Sequence, residues 1–246
     1  MSAPGASVPV TVGRPGRWRV VTVAGARWET PRARTLRLDL GEEFAFLAGQ
    51  HLLLRLTAPD GYTAQRSYSI ASAPAGSAFV ELTVERLPGG EVSEFLCDEV
   101  VVGDTLEVRG PIGRWFVWDA EEPFVGVAGG SGTVPLMAML RQARAAGRPE
   151  LARLLVSARR PEDLYYADEL PGPESTVVWT REAPPGSARA PGRLRAADLA
   201  PLFDGGQERT VFVCGSPSFC DAVTDVLAEL GVPASRVRVE RFGPSR

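Results

Sequence analysis

The sequence predicts two domains, an antiparallel β-barrel followed by an α/β doubly wound parallel sheet, meeting at about residue 119. Three observations predict this. Up to about 118 the apolar residues alternate over short runs separated by Gly/Pro turns, as in half-buried antiparallel strands. After 119 the apolar runs are continuous and alternate with helical stretches, as in a parallel sheet covered on both faces. The first of those runs passes through Gly129-Gly130-Ser131-Gly132 directly into a helical stretch. The 246 residues are enough for both domains, read as 17–118 and 119–246 behind a small-residue, Pro/Gly-rich arm over 1–16 that is expected to be disordered.

In the first domain, strands are expected over 17–26, 34–40, 51–57 and 79–85, and residues 66–69 lie in a further strand with alternating faces. Pro59-Asp60-Gly61, Pro74-Ala75-Gly76 and Pro88-Gly89-Gly90 supply the turns. Residues 92–101 differ, with helical spacing behind two glycines. In the second domain, strands are expected over 124–128, 151–158, 175–180, 211–214 and 236–241. Helices are expected over 135–146, near 161–170 and over 217–230. The Pro/Gly/Arg-rich stretch 182–193 reads as a loop.

Composition excludes several chemistries. All 27 basic residues are Arg, there is no Lys and no Asn, and His51 is the single histidine. A lysine Schiff base and a P-loop lysine are impossible. A zinc site of several histidines is excluded, and no metal site is expected. No G-x-S-x-G elbow accompanies His51. Cys97, Cys214 and Cys220 are too few for the four ligands of an iron–sulfur cluster. Their odd count suits reduced thiols in a cytoplasmic protein. The longest apolar stretch, 124–140, is broken by glycines and is too short to span a bilayer. A net charge of −3 gives no sign of a nucleic-acid partner, so neither nucleic acid nor membrane is expected.

Four local patterns carry the chemistry. Gly130-Ser131-Gly132-Thr133-Val134-Pro135 joins a strand to a helix. Its glycines let backbone approach a pyrophosphate, and the helix start offers free N–H groups. A tight turn needed only for packing is the alternative. Ser157-Ala158-Arg159-Arg160 ends the second strand without the acid that favours NAD. Arg181 follows the third strand and Arg193 closes the loop after it, so these arginines form a candidate clamp for the 2′-phosphate of NADP. The alternative is that every exposed cation here must be Arg. Arg66-Ser67-Tyr68-Ser69 offers a cation, a flat aromatic face and a hydroxyl. Gly89-Gly90-Glu91-Val92-Ser93 is an anion-ready helix start, or a plain cap with Ser93 in it.

In combination the sequence resembles the ferredoxin–NADP reductase-like flavoprotein family over about 17–244. Six elements occur in family order: Arg66-Ser67-Tyr68-Ser69, Gly90-x-x-Ser93, Gly110-Pro111-Ile112-Gly113-x-x-Phe116, Gly129-Gly130-Ser131-Gly132-x-x-Pro135, Cys214-Gly215-x-Pro217 and Glu240-Arg241-Phe242-Gly243. The resemblance implies a flavin-binding barrel, a pyridine-nucleotide domain and an active site between them. It implies that Arg66 pairs with the flavin pyrophosphate, Tyr68 stacks on the isoalloxazine and Ser69 hydrogen-bonds near the flavin N5. Gly90, Val92 and Ser93 would hold the pyrophosphate, favouring FAD. Gly130, Thr133, Pro135 and Gly215 would line the nucleotide site, with Cys214 beside the nicotinamide and Glu240 and Phe242 near the flavin's other side. Cys214 is then a positioning residue; the alternative is a small buried hydrophobe. Cys97 and Cys220 are assigned to packing and His51 to structure.

The resemblance further implies an FAD-dependent oxidoreductase that takes a hydride from NADPH (or NADH) and passes electrons to a separate ferredoxin, flavodoxin or oxygenase component. Many relatives carry a [2Fe–2S] domain after the Phe-Gly element, whereas Arg246 follows Gly243 closely; a stand-alone member is the expectation. The tail after Phe242 also lacks the terminal aromatic that covers the flavin in some reductases, unless Phe242 serves. Two alternatives are a reductase of free flavin or another small acceptor and a non-catalytic nucleotide-binding regulatory subunit.

Overall fold

The structure, a computed structural model, describes residues 16–205 and 208–243. The arm expected over 1–16 lies outside these residues except for Gly16, as do residues 244–246 of the tail.

The first sheet is antiparallel and holds β1 (Arg19–Thr30), β2 (Ala33–Asp39), β3 (His51–Thr57), β4 (Thr63–Ser69), β5 (Phe79–Glu85) and β6 (Thr105–Ile112). Their order is β4-β3-β6-β1-β2-β5. An Ile70–Leu82 bridge, reinforced by Ala71 N donating to Glu81 O at 2.7 Å, joins the end of β4 to β5 and closes the barrel. Alternation along each strand sends one set of side chains inward. Val21, Val23, Leu36, Leu38, Leu52, Leu54, Val80, Leu82, Val84, Leu106 and Val108 make one buried cluster. Helix α1 (Glu91–Asp98) adds Val92, Leu96 and Cys97 to it. Arg34 Nη1 holds the far end of α1 by donating to the carbonyls of Leu96, Cys97 and Val100, the C-terminal position that favours a cation.

The second sheet is parallel. It comprises β7 (Phe124–Gly129), β8 (Ala152–Ala158), β9 (Ser175–Trp179), β10 (Thr210–Gly215) and β11 (Val237–Arg241), in the order β11-β10-β7-β8-β9. Helices α2 (Thr133–Ala145), α3 (Ala196–Leu199) and α4 (Pro217–Glu229) complete the second half. The strand order reverses between β7 and β10, the place where doubly wound sheets bind ligands at strand C-termini. Two clusters bury the sheet. Leu136, Met139, Leu154 and Phe212 belong to one, and Val125, Leu155, Val213 and Leu227 belong to the other. No helix among the described residues is long and apolar enough to cross a membrane.

One expected helix does not form. Near 161–170 there is only a 3-10 turn, Pro161–Asp163, followed by irregular chain. Tyr166 takes φ 56°, a left-handed conformation that a helix cannot contain. Its ring is buried with Tyr165 and Leu170 in the core, and its hydroxyl lies 2.6 Å from Thr83 Oγ1 on β5 of the barrel. That tertiary contact outweighs the local helical spacing.

Candidate active site

A cleft of about 1200 Å³ runs between the two sheets and takes residues from both. It exceeds the roughly 300–1,000 Å³ of typical small-molecule sites and so suits more than one ligand of ordinary size.

The barrel wall is built by β4 and the turn before α1. Arg66, Tyr68 and Ser69 line the cleft together with His51, whose strand pairs with theirs in the register His51–Ser69. Burial pushes the Tyr68 phenol well above its ordinary range, with nearby Cys97 adding to the shift. Ser69 is buried, yet its hydroxyl hydrogen-bonds to no described residue. Burial also lowers the His51 pKa, so its imidazole is held neutral. Gly90, Val92 and Ser93 line the wall too. The Ser93 hydroxyl, however, is already engaged. It accepts from Leu87 N at 3.2 Å and donates to Gly90 O at 3.0 Å, bracing the turn that leads into α1. No side chain caps this helix start, so its first amides are free for an anion, although Glu91 and Glu94 stand in the same turn.

The opposite wall is the switch point of the parallel sheet. Gly129, Gly130, Ser131 and Val134 line it at the end of β7. Gly130 takes φ 57°, a conformation that suits glycine. A Cβ at Gly132 would lie 2.2 Å from the Cys214 carbonyl oxygen, so that residue must be glycine for the turn to rest on β10. Thr133, Pro135, Cys214 and Gly215 are buried behind this wall and do not line the cleft. The Thr133 hydroxyl is buried without a hydrogen-bond partner among the described residues. Phe242 lines the cleft and packs against the cluster that contains Cys214, and its N–H donates to Gly215 O at 2.8 Å. Glu240 also lines the cleft. Its Oε2 is buried without a hydrogen-bond partner among the described residues, and burial raises its pKa to about 7.

Arg159, Arg181 and Arg193 meet at one end of the cleft. The backbone assembles them. Arg181 N donates to Arg159 O at 3.0 Å, and Gly192 N donates to Trp179 O at 3.0 Å, which brings Arg193 beside the end of β9. Arg189 stiffens that loop by pairing with Asp198 and donating to the carbonyls of Gly192 and Arg193. Among the described residues, no carboxylate pairs with Arg66, Arg159, Arg181 or Arg193, whereas Arg32 and Arg241 in the same cleft pair with Asp163 and Asp221.

Ser131, Ser157, Thr180, Tyr165, Arg32, Glu85 and Phe219, none of them among the expected site residues, line the cleft as well. Ser131 was legible, being the one side chain between two glycines. Ser157 and Thr180 could be read as strand ends. Tyr165 and Glu85 carried no local signal, since they meet only when the halves pack.

The donor set fits two anionic dinucleotides. Among the described residues it offers four arginines without carboxylate partners, a buried hydroxyl without a hydrogen-bond partner and a glycine cradle beside a helix start. Residues 23–117 match the family model of the oxidoreductase FAD-binding domain, and residues 127–225 match that of the oxidoreductase NAD-binding domain. Ferredoxin–NADP reductase B of Sorangium cellulosum is 37% identical over 218 residues, which cover 82% of this chain and 87% of that protein. The ferredoxin reductase component of the 3-ketosteroid-9-alpha-monooxygenase of Rhodococcus rhodochrous is 30% identical over 235 residues, 91% of this chain. The match spans only 64% of that relative's length. Among solved structures, the Amycolatopsis cytochrome P450 reductase GcoB superposes with a TM-score of 0.74 at 28% identity, covering 92% of this chain and 71% of that one.

Proposed function

Because the chain belongs to the ferredoxin reductase-like family of FAD- and NAD-binding oxidoreductases, we propose that it takes a hydride from a reduced nicotinamide dinucleotide onto FAD and passes the electrons to a separate redox partner, an oxygenase component or a ferredoxin. The observation that carries this reading is the continuous cleft, walled on one side by Tyr68 and Ser69 and on the other by Ser131 and Glu240.

Bound FAD supplies the redox chemistry, accepting a hydride and releasing electrons one at a time. The chain's residues bind, orient and exclude water. Arg66 and the amides at the start of α1 would hold the flavin's pyrophosphate, and the Tyr68 ring would offer its face to the isoalloxazine. The Ser69 hydroxyl, without a hydrogen-bond partner among the described residues, would donate to the edge of the flavin ring. Gly130 and Ser131 let the nucleotide's backbone approach the end of β7, and Cys214 fills the space behind. The buried thiol shapes the nicotinamide site and stays protonated, because burial and then Glu240 raise its pKa well above the ordinary value. Phe242 covers that region from the cleft side. Arg159, Arg181 and Arg193 take the 2′-phosphate of NADP, which makes NADPH the preferred donor.

The test is an anaerobic visible spectrum of the purified protein, then titration with NADPH and separately with NADH. Bleaching of a bound-flavin spectrum by either nucleotide supports the reading. A colourless protein that takes up no added FAD overturns it and favours a binding subunit on the same fold.

A further inference from the structure

A closed ring of polar contacts ties the barrel to the nucleotide half, and nothing in the reaction above uses it. On the barrel side it crosses three neighbouring strands. Arg27 pairs in register with Thr35, and Thr35 pairs with Thr83. Glu29 Oε1 accepts from Thr35 Oγ1 at 2.6 Å and lies 2.9 Å from Arg27 Nε. Arg27 grips Glu81 with two bonds of 2.6 and 2.9 Å. On the other side Arg141, from α2, reaches Glu81 Oε2 at 3.1 Å and lays its guanidinium 4.8 Å from the centre of the Tyr166 ring. The Tyr166 hydroxyl returns to Thr83 at 2.6 Å, and Thr83 lies 2.7 Å from Thr35.

The direction of the hydroxyl chain follows from its end. A carboxylate paired with Arg27 can only accept, so Thr35 donates to Glu29, Thr83 to Thr35 and Tyr166 to Thr83. The three buried hydroxyls therefore have one arrangement, and it needs both halves in place.

The ring also touches the two reacting walls. Arg141 Nη1 donates to Ala71 O at 2.9 Å, two residues past Ser69. Arg141 stands about two turns along the helix that begins at the glycine-rich turn of the nucleotide wall. Glu169, from the same loop as Tyr166, pairs with the same guanidinium. One side chain thus holds the barrel two residues past Ser69, and at Glu81, from the helix that follows the Ser131 turn.

The geometry points to Arg141 and Tyr166 as positioning residues for hydride transfer, which fix the distance across the cleft by locking the two halves through Glu81, Thr83 and the Ala71 carbonyl. This rests on the hydride-transfer reading proposed above. A displacement of about 1 Å between reacting groups costs on the order of 10²-fold in rate, so a rigid lock is a kinetic device.

The test compares the parent with Arg141→Met, Tyr166→Phe and Thr83→Val, using Thr83→Ser as the variant that keeps the hydroxyl. All three native thiols are buried, so spin labels can be placed on cysteines introduced at exposed Val101 in the barrel and Glu229 on α4. Distance distributions between the labels are measured in the FAD-loaded protein without nucleotide. Stopped flow then gives the hydride-transfer rate and the nucleotide Kd. Arg141→Met is expected to broaden the distribution and slow hydride transfer by at least about tenfold, with Kd and flavin content unchanged, and Thr83→Ser is expected to behave as the parent. An unchanged distribution overturns the proposal, and so does an unchanged rate despite a broadened one. Tyr166→Phe removes a single oxygen and keeps the test open if Arg141→Met does not fold. A parent that transfers no hydride defeats the activity reading itself; a competent parent with indifferent variants defeats the positioning role alone.

Discussion

Cys214 and Glu240 stand side by side in register on neighbouring parallel strands, and the Glu240 Oε2 is buried without a hydrogen-bond partner among the described residues. Side chains paired this way share one face of the sheet. The carboxyl group therefore borders both the buried thiol and the cleft, and its charge adds to burial in raising the thiol pKa.

That relationship has a pH signature. Burial raises the Glu240 pKa from 4.5 to about 7, so between these values the folded protein holds a proton that the unfolded chain releases. Stability from this group is full below about pH 4.5 and is lost as pH rises through about 7. Glu240→Gln removes the dependence. Urea unfolding at pH 5 and pH 8 should show the parent losing about 1–3 kcal/mol more than the variant across that interval. Parallel losses in the two proteins would mean that the carboxyl group is solvated.

The barrel wall makes a separable prediction. Tyr68→Ala should lower the flavin retained on purification, because an aromatic face worth about 0.5–1.5 kcal/mol beyond its area is lost. Ser69→Ala should leave flavin content near that of the parent and slow its reduction, since the hydroxyl bonds to none of the described residues. Equal flavin content in Tyr68→Ala and the parent would remove that ring from the site.

At the arginine end, Arg181→Ala should raise the KM for NADPH by about tenfold or more and leave that for NADH within about twofold. A charge-assisted bond is worth about 1.5–3 kcal/mol, and only NADPH carries the 2′-phosphate. Steady-state kinetics with both nucleotides decide this, and equal changes would leave Arg181 as a solvated cation.

How much of this was legible depends on where the signal lies. The strands at His51–Thr57 and Phe79–Glu85 fall where alternation puts them, because one face of each is buried and the period is unambiguous. β6 alternates equally well, with Leu106 and Val108 buried, but the glycine-rich motif that ends it masks the strand signal. The helix expected near 161–170 failed because Tyr166 answers to Thr83 across the domain junction, a contact that no local window contains. The glycine-rich turn was readable as a cradle, but its rotation was not. Thr133 turns inward on the first turn of α2, and Ser131 lines the cleft instead. The arginine cluster was visible as strand ends, whereas its lack of carboxylate partners emerges only in three dimensions.

The glycine cradle can be tested independently of any ligand. A methyl group at Gly132 would sit 2.2 Å from the Cys214 carbonyl oxygen and 2.7 Å from Gly215 N, and backbone on a central strand cannot give way as a flexible side-chain tip can. Gly132→Ala should therefore cost about 1–3 kcal/mol or more through overpacking, read as a lowered urea midpoint. Gly130→Ala is strained by its φ of 57° but meets no atom within 4 Å, so its cost should be confined to the conformational penalty of roughly 1 kcal/mol. The contrast separates two reasons for the same residue type in one turn: Gly132 for close approach to β10, and Gly130 for the left-handed bend that exposes the end of β7 to the cleft. If Gly132→Ala proved as mild as Gly130→Ala, the turn would not rest on the Cys214 backbone, and its path across the nucleotide wall would have to be redrawn.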